Sequence, residues 1–583
     1  MSTPASTRTA TSSPLSGGTV TDLDPVQVEV IGSALESVAE EMGEMLVKAS
    51  YSPNIKERRD CTTCVFDADG RTLAQAEHIP LHLGSLMGIV EAITERHPRE
   101  EIRDGDTFVG NDPHTGGGTH LPDIVLATPV FSGGELVAWV TNLAHHADFV
   151  DRAHAHIFQE GLRIPAVRFA RDWEIDRDIL DLILLNCQVP RERMADFRAQ
   201  LAANRLGVQR VQQLCERYGP DTITAAGEAL MDYTERMIRS GIAEIPDGVY
   251  HFTDRFDSDE HEGELELGVS VSVRGTDMSL EFAAPPQLPC SLNMVHTALL
   301  VTVFYAVKTV VGPRVPANDG MFRPLKVAAP EGSLLNCTPP AAVNNRILAC
   351  QRVVDLVHGA LAQAVPERVI AASNGAVTAC TFSGIDPRTG EFYVYLETIG
   401  GGLGAGATHD GLDGVQVHMT NTSNLPVECL EAEYPLTVER YELIDDSGGA
   451  GRFRGGMGIR RMLRVEHDDC HCEVSTSRLL SRPWGLSGGQ PGARTEVHVL
   501  DAGGRVTGRS SSSTTLRAGE VMDVHTAGAG GCGPSAERRA EAVAADLRDG
   551  RISAATAAEH HGVPASEAAP AGEGIPAGRE VPA

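Results

Sequence analysis

Two apolar runs separated by a tight turn constrain this chain more than any other feature. "DIVLATPVF" (123–131) and "ELVAWVTNL" (135–143) flank the tripeptide "SGG". Neither run is broken by regular polar positions, so both read as buried strands, and the turn near Ser132 to Glu135 joins them as one hairpin. In an antiparallel pair the start of the first strand lies beside the end of the second. "NDPHTGGGTHLPDI" (111–124) is thereby brought against "NLAHHAD" (142–148). His120 and Asp123 can then approach His145 and His146.

Two imidazoles and a carboxylate hold a divalent first-row metal while leaving positions open for water and substrate. His120, Asp123 and His145 are the sharpest candidates, with His146, Asp112, His114 and Asp148 as further ligands or their neighbours. Which of His145 and His146 faces the ion is open at this stage. The rival reading is a polar turn in which Asp112 and Asp123 cap backbone donors. Convergence at one end of a hairpin, rather than spread along a face, favours the metal.

The 583 residues exceed what one core usually supports. From Asp24 to Ala49, Ile31, Leu35, Val38, Met42, Met45, Leu46 and Ala49 recur at helical spacing behind an Asp-Pro start. "TCVFDADGRTLAQ" alternates around an Asp-Gly turn, the pattern of a second hairpin. Helical patterns fill 179–242, and period-two strands return beyond Gly248. Glycine-punctuated short strands dominate 375–524. The expected fold class is mixed α+β: an N-terminal helix and hairpin portion, a helical middle and a β-rich C-terminal half. The expected divisions are a disordered tail (1–23), an α+β region with the metal site and a helical segment (24–248), a mixed α/β region (249–374), a β-rich region (375–533), C-terminal helices (534–563) and a second disordered tail (564–583).

The longest apolar run, "TALLVTVFYAV" (297–307), ends at Lys308 and is too short to span a bilayer, so it is expected as a buried helix or strand. No run of signal-peptide length opens the chain. A net charge of -30, from 49 basic and 79 acidic residues, disfavours nucleic acid and anionic membranes as partners. Twelve scattered cysteines suit reduced thiols and a cytoplasmic location better than a disulfide framework. Cys61 with Cys64 has the spacing of half a zinc knuckle, and Cys470 with Cys472 supplies further thiols, but neither pair has a partner of standard spacing.

Other polar groups invite a substrate role. Asn318, Asp319 and Arg323 share a Pro/Gly-bracketed loop, where Arg323 can grip a carboxylate or phosphate, or simply pair with Asp319. "ETIGGGLGAGATHDG" (397–411) can form a phosphate-cradling nest, with His409 and Asp410 beside it, although it lacks the lysine of a P-loop and a tight turn is the favoured reading. Glu428, Glu431 and Glu433 lie close together and read as solvated or hydrogen-bonded. No serine or cysteine sits in a nucleophile motif. Any chemistry is therefore metal-assisted.

Several long motifs occur in order: "RRDCTTCVFDADGRTLAQAEHIPLHLGSL", "GNDPHTGGGTHLPDIVLATPVF", "NLAHHAD", "QEGLRIP", "VPANDGMFRPLKVAAPEGSLLN", "NTSNLPVE", "YPLTVERYEL" and "SGGAGRFRGGMGIRR". Together they resemble the hydantoinase B/oxoprolinase family across nearly all of 25–563. That family includes the B subunits of ATP-dependent N-methylhydantoinases, the corresponding half of 5-oxoprolinase, and the α subunits of acetone and acetophenone carboxylases. The resemblance implies a hetero-oligomer in which ATP is held by an A-type ATPase subunit that phosphorylates a carbonyl or enol oxygen. The B-type chain then handles the activated product.

In the family's carboxylases two histidines and an aspartate hold manganese, and the matching positions are His120, Asp123 and His145; manganese, zinc and iron all remain candidates here. The implied function is hydrolysis of a cyclic amide such as a hydantoin, oxoproline or lactam. A carboxylase α subunit and a non-catalytic scaffold are the alternatives. The chain departs from the family pattern in two places. "DFVDRAHAHIF" follows the paired histidines, bringing His154 and His156 into consideration as ligands. "GAGGCGPS" (528–535) places Cys532 where a tyrosine is usual.

Overall fold

The structure, a computed structural model, describes residues 23–76, 78–146, 154–509 and 512–563. Asp148 lies outside the described residues, as do both expected tails except Leu23.

Strands Asp123–Ser132 and Glu135–His145 pair antiparallel, with Ser132 opposite Glu135 and Asp123 opposite His145. Gly133 and Gly134 make the two-residue turn at φ +62° and +87°, values that a Cβ resists. The hairpin sits inside a seven-stranded antiparallel sheet. Its order is Thr72–Gln75, Cys61–Asp67, Glu135–His145, Asp123–Ser132, Thr107–Gly110, Val167–Arg171 and Glu174–Ile175.

Both faces of the hairpin are covered, which explains the missing polar alternation. Val125, Ala127, Trp139 and Leu143 pack with Ile89 and Ile93 of helix Ile89–Arg96. Val130, Ala138 and Val140 pack instead with Ile31, Leu35 and Val38 of helix Pro25–Ala49 and with Val208 and Val211 of helix Pro190–Tyr218. Asp24 caps the first of these helices by accepting from Val26 N at 3.0 Å, as its Asp-Pro start implies. Met45 and Ala49, at the margin of the expected apolar stripe, are exposed.

The middle of the chain folds as a four-stranded sheet, ordered Leu325–Ala328, Asp277–Ala283, His261–Arg274 and Gly248–Ser258. Its strand Leu325–Ala328 runs parallel to Asp277–Ala283, and helix His296–Val311 lies in the connection between them. That helix contains the long apolar run. It packs beside helix Arg346–Leu361, which is buried along nearly its whole length.

Two sheets form the C-terminal half. One has the order Phe392–Ile399, Thr378–Ile385, Cys470–Ser475, Ser512–Leu516; the other runs Leu436–Leu443, Ile459–Val465, Val521–His525, Glu496–Leu500, Val506–Arg509. Phe382, Tyr395 and Val474 of the first meet Leu436, Leu463 and Val524 of the second in one core. Helices Ala540–Arg548 and Ala554–His561 follow, joined through Asp549 and Gly550 as expected.

The glycine-rich stretches lie between the short strands of this half, as their punctuation implies, and pack closely. Segments near 400–406, 447–458, 485–492 and 526–533 are extended chains outside the sheets, joined sideways by backbone hydrogen bonds. Gly449 N donates to Ala529 O at 2.8 Å, Ala529 N to Gly456 O at 2.9 Å, and Gly456 N to Leu403 O at 3.0 Å. A Cβ on Gly404 would stand 1.8 Å from Ala371 O, and one on Gly528 would stand 1.9 Å from Ser447 O. Hydrogen alone fits there. The run read as a possible phosphate nest is therefore packed backbone.

The zinc reading of the cysteines also fails. Cys61 and Cys64 project from opposite faces of their strand, one against Leu46 and Ala144, the other against Phe66 and Trp139. Cys470 and Cys472 lie in the core between the two C-terminal sheets. No helix among the described residues is long and apolar enough to cross a membrane.

Candidate metal centre

The register that pairs Asp123 with His145 brings their side chains to one end of the hairpin. His120 joins them from the turn that precedes the first strand. One ligand atom from each of the three lies within 4.8 Å of the others. His120 Nε2 is 3.1 Å from Asp123 Oδ1, and the His120 and His145 rings are 5.0 Å apart.

Each member is held from behind. Asp123 Oδ2 accepts from Ser85 Oγ at 2.8 Å and from Arg346 Nη2 at 3.0 Å, which leaves Oδ1 toward the histidines. His120 Nδ1 lies 3.1 Å from the carbonyl of Asn344 and 3.2 Å from its side-chain oxygen. A donor role for Nδ1 toward these oxygens puts the lone pair on Nε2. Asn54 Nδ2 donates to the His145 carbonyl at 2.7 Å and also lies 3.3 Å from His145 Nδ1. Arg58, itself buried, donates to Asn54 Oδ1 at 2.6 Å and to Leu396 O at 2.6 Å, tying this corner to the C-terminal sheet.

Two residues that sequence reasoning passed over complete the cluster. His82 Nε2 lies 3.6 Å from Asp60 Oδ1 and 3.8 Å from Asp123 Oδ1, and Asp60 Oδ2 lies 3.9 Å from His145 Nδ1. Asp60 sits just before strand Cys61–Asp67, which pairs directly with Glu135–His145. The strand pairing carries it to the site. Both residues stood in quoted motifs, "RRDCTTC" and "PLHLGSL", but nothing local marks them.

Burial dominates the electrostatics. It lowers the His145 imidazole to about 3 and the His82 imidazole to about 4, so both are neutral and able to offer a lone pair. Burial also raises the Asp60 carboxyl above its ordinary value, against the pull of His82 and Arg58. For Asp123 the burial penalty is outweighed by His120, His82 and Arg346, and its carboxyl stays well below the usual range. A buried, ionised carboxylate beside the imidazoles of His82 and His145, both kept neutral by burial, is a donor set that fits a divalent cation.

A further fully buried carboxyl, Glu160, underpins the loop behind His120. Its Oε1 accepts from Val343 N and Asn344 N, both at 2.7 Å, while Oε2 has no partner among the described residues. Burial raises its pKa to about 8.

A cavity of about 150 Å³ opens at the cluster. Asp60, His82, His120 and His145 form one wall, and Asn344, Asn345 and Arg346 contribute the start of a helix. The facing wall is the four-stranded sheet of the C-terminal half. Strand alternation sends Cys380, Phe382, Cys472 and Val474 into the core and turns Ala379, Thr381, Glu473 and Ser475 to the cavity. Thr381 sits opposite Glu473 and Ala379 opposite Ser475 in the ladder. Thr420 and Thr422 add hydroxyls, 2.9 Å apart.

The remaining candidates lie elsewhere. His146 points away from His145, packing on Phe197 and bonding Gln200 Oε1 at 3.1 Å. Asp112 accepts from His114 N and from Arg163, and His114 Nε2 meets Ala341 O at 3.0 Å. His154 and His156 do not belong to the ligand group found among the described residues.

None of Asn318, Asp319, Arg323, His409 and Asp410 lines the cavity. Arg323 pairs with Asp232 and Glu235 of helix Pro220–Ile242, rather than with Asp319. Asp319 accepts from Thr72 N, and Asn318 donates to Thr234 Oγ1. Asp410 is gripped by Arg538 through two bonds of 2.7 and 2.9 Å, with exposed His409 beside it. Glu428, Glu431 and Glu433 are exposed on helix Val427–Glu433, in keeping with the solvated reading.

Residues 24–535 match the family model for hydantoinase B/oxoprolinase. The chain belongs to the hydantoinase B/oxoprolinase family. It is 33% identical over 572 residues to the B component of a putative D-/L-hydantoinase from a Pseudomonas species, covering 93% of this chain and 95% of that one. The crystal structure of ATP-dependent caprolactamase from Pseudomonas jessenii superposes with a TM-score of 0.85 at 29% identity, covering 93% and 97% of the two chains. The nucleotide-free structure of acetone carboxylase gives a TM-score of 0.84 at 19% identity over 93% and 80%, a likeness of fold. The chain is thus a hydantoinase B/oxoprolinase-type subunit, of the kind found in ATP-dependent cyclic-amide hydrolases.

Proposed function

We propose that this chain is the ring-opening subunit of an ATP-dependent cyclic-amide hydrolase, acting on a carbonyl-phosphorylated intermediate made by a separate A-type ATPase subunit. The observation that carries this reading is the group of buried His120 and Asp123 with part-buried His145 at the cavity. An unstrained cyclic amide is a poor electrophile with a poor leaving group. Phosphorylation of its carbonyl oxygen, driven by ATP on the partner, activates the ring carbon: water adds there, the C–N bond breaks with the ring nitrogen leaving as a protonated amine, and a second water hydrolyses the resulting acyl phosphate to carboxylate and phosphate.

The three side chains would hold a divalent ion, with manganese, zinc and iron all compatible with the donor set. When bound, such an ion supplies Lewis acidity and a water of lowered pKa. The chain's own residues do the rest. Arg346 holds Asp123 by Oδ2, Asn344 orients His120, and Asn54 anchors His145 through its carbonyl. Asp60 and His82 stand close enough to exchange a proton with water near the cluster.

The hydrolase reading is preferred over a carboxylase because the likeness in sequence runs to a hydantoinase component and a caprolactamase, while the acetone carboxylase shares the fold. A pure scaffold would have no use for a fully buried Asp123 carboxylate set within reach of the His120 and His145 imidazoles at the edge of a cavity. Co-expression with the A-type subunit tests the proposal: ATP turnover coupled to opening of hydantoins, lactams or 5-oxoproline supports it. ATP-dependent uptake of bicarbonate onto acetone, without amide opening, would replace it with the carboxylase.

A further inference from the structure

A chain of hydroxyl groups runs along the cavity wall from a buried cation, Arg58. The Arg58 Nη1 donates to Asn54 Oδ1 and Leu396 O, and its Nη2 donates to Thr398 Oγ1 at 3.0 Å. All three acceptors are uncharged. Gln416 Nε2, 3.4 Å away, is a second donor to Thr398 Oγ1. A guanidinium only donates, so Thr398 turns its own proton onward. Thr398 Oγ1 donates to Thr422 Oγ1 at 3.1 Å, and Thr422 Oγ1 lies 2.9 Å from Thr420 Oγ1.

The protons give this chain a direction. Thr422 and Thr420 hold one hydroxyl proton each and share a single bond, so one O–H is left to donate, and no described residue accepts it. Because Thr422 already accepts from Thr398, its own hydroxyl is the stronger donor, which leaves the spare proton on Thr420. Thr398, Thr420 and Thr422 all line the cavity. Thr420 lies near the cluster, since the carbonyl of its neighbour Met419 accepts from Leu81 N at 3.4 Å, next to His82.

Such a donor favours an anion. A hydrogen bond to a charged oxygen is about twice as strong as one to a neutral oxygen, and the guanidinium at the far end polarises the chain in the same sense. On a ring activated at its carbonyl oxygen, the phosphoryl oxygens are the anionic acceptors. Resting on the hydrolase reading, we propose that Thr420, backed by Thr422, Thr398 and Arg58, binds the phosphoryl group of the activated ring and the inorganic phosphate released from it.

The probe is inorganic phosphate, titrated calorimetrically into the full-length chain with metal content and thermal unfolding measured alongside. Thr420→Val should weaken phosphate binding about tenfold or more, and Thr420→Ser should stay within about threefold of wild type. Thr422→Val should weaken it less, and should add little to Thr420→Val in the double variant, because the chain acts only through Thr420. Affinity for hydantoin, a ring without phosphate, should move less than about threefold in each variant.

No measurable phosphate binding by wild type overturns the subsite. So does unchanged binding in folded Thr420→Val, a serine variant as weak as valine, additive losses in the double variant, or a loss confined to hydantoin. Each of these leaves the hydrolase reading standing. A chain that binds phosphate through Thr420, yet opens no cyclic amide with ATP and its A-type subunit, keeps the phosphate site and overturns the hydrolase reading.

Discussion

Glu160 offers a test of whether the site is held in place from outside its ligands. Its Oε1 is the acceptor for two adjacent backbone N–H groups, Val343 and Asn344, and the Asn344 carbonyl in turn meets His120 Nδ1. Glu160→Ala leaves two buried donors without an acceptor, at about 1–3 kcal/mol each, or about 2–6 kcal/mol together. The loop then relaxes and His120 loses its orienting partner. Loss of such an outer partner weakens metal binding by about 10- to 100-fold.

Glu160→Gln behaves differently. With its pKa raised to about 8 by burial, Glu160 is largely protonated at neutral pH, so an amide keeps both its charge and its Oε1 acceptor. The glutamine variant should bind metal within about threefold of wild type, well inside the span expected for a lost outer partner. Manganese and zinc affinities by competition against a chelating dye, with thermal unfolding alongside, read both effects. An alanine variant with unchanged metal affinity, or a glutamine variant as impaired as alanine while still folded, would refute the chain of contacts.

Three further outcomes follow from the same geometry. Arg346→Met strands the buried Asp123 carboxylate, which should cost about 3–5 kcal/mol in metal-free protein by denaturant unfolding, where Arg346→Lys costs less. Gly404→Ala should abolish soluble folded protein, because its Cβ would lie 1.8 Å from Ala371 O, whereas Gly508→Ala, with nothing within 4 Å, should be nearly neutral; expression and circular dichroism distinguish them. His358 is buried and its pKa is lowered to about 4 by burial and then by His418. The unfolded chain therefore binds a proton there that the folded chain does not, and stability should fall as pH drops from about 6.5 to about 4, by up to ~3 kcal/mol for this group. His358→Gln should flatten that part of a pH series of unfolding midpoints.

What was legible in the sequence was local or hinged on one turn. The "SGG" turn and its two flanking runs specify a hairpin, and the hairpin's register alone brings Asp123 and His145 together. Asp60 and His82 were invisible for the complementary reason. They reach the cluster through a strand pairing and a short helix whose partners lie far along the chain. Glu473 and the threonine wall needed the packing of one sheet against another.

The close packing of the glycine segments was not legible, because a glycine before an apolar residue looks the same whether it breaks a strand or lets two backbones touch. Arg323 and Asp410 carried charge in loops, the usual mark of a ligand site, yet each found a partner inside the chain.

Everything proposed for this chain depends on the metal group at the head of the cavity. Its most direct test is the metal content and affinity of the purified full-length chain, in wild type and in His120→Ala, Asp123→Asn and His145→Ala, measured by plasma mass spectrometry and titration. Close to one divalent ion per wild-type chain is expected, lost together with ATP-dependent ring opening in each variant while the fold is retained. A metal-free wild type that supports full activity with its ATPase partner, or variants that keep both ion and activity, would contradict it.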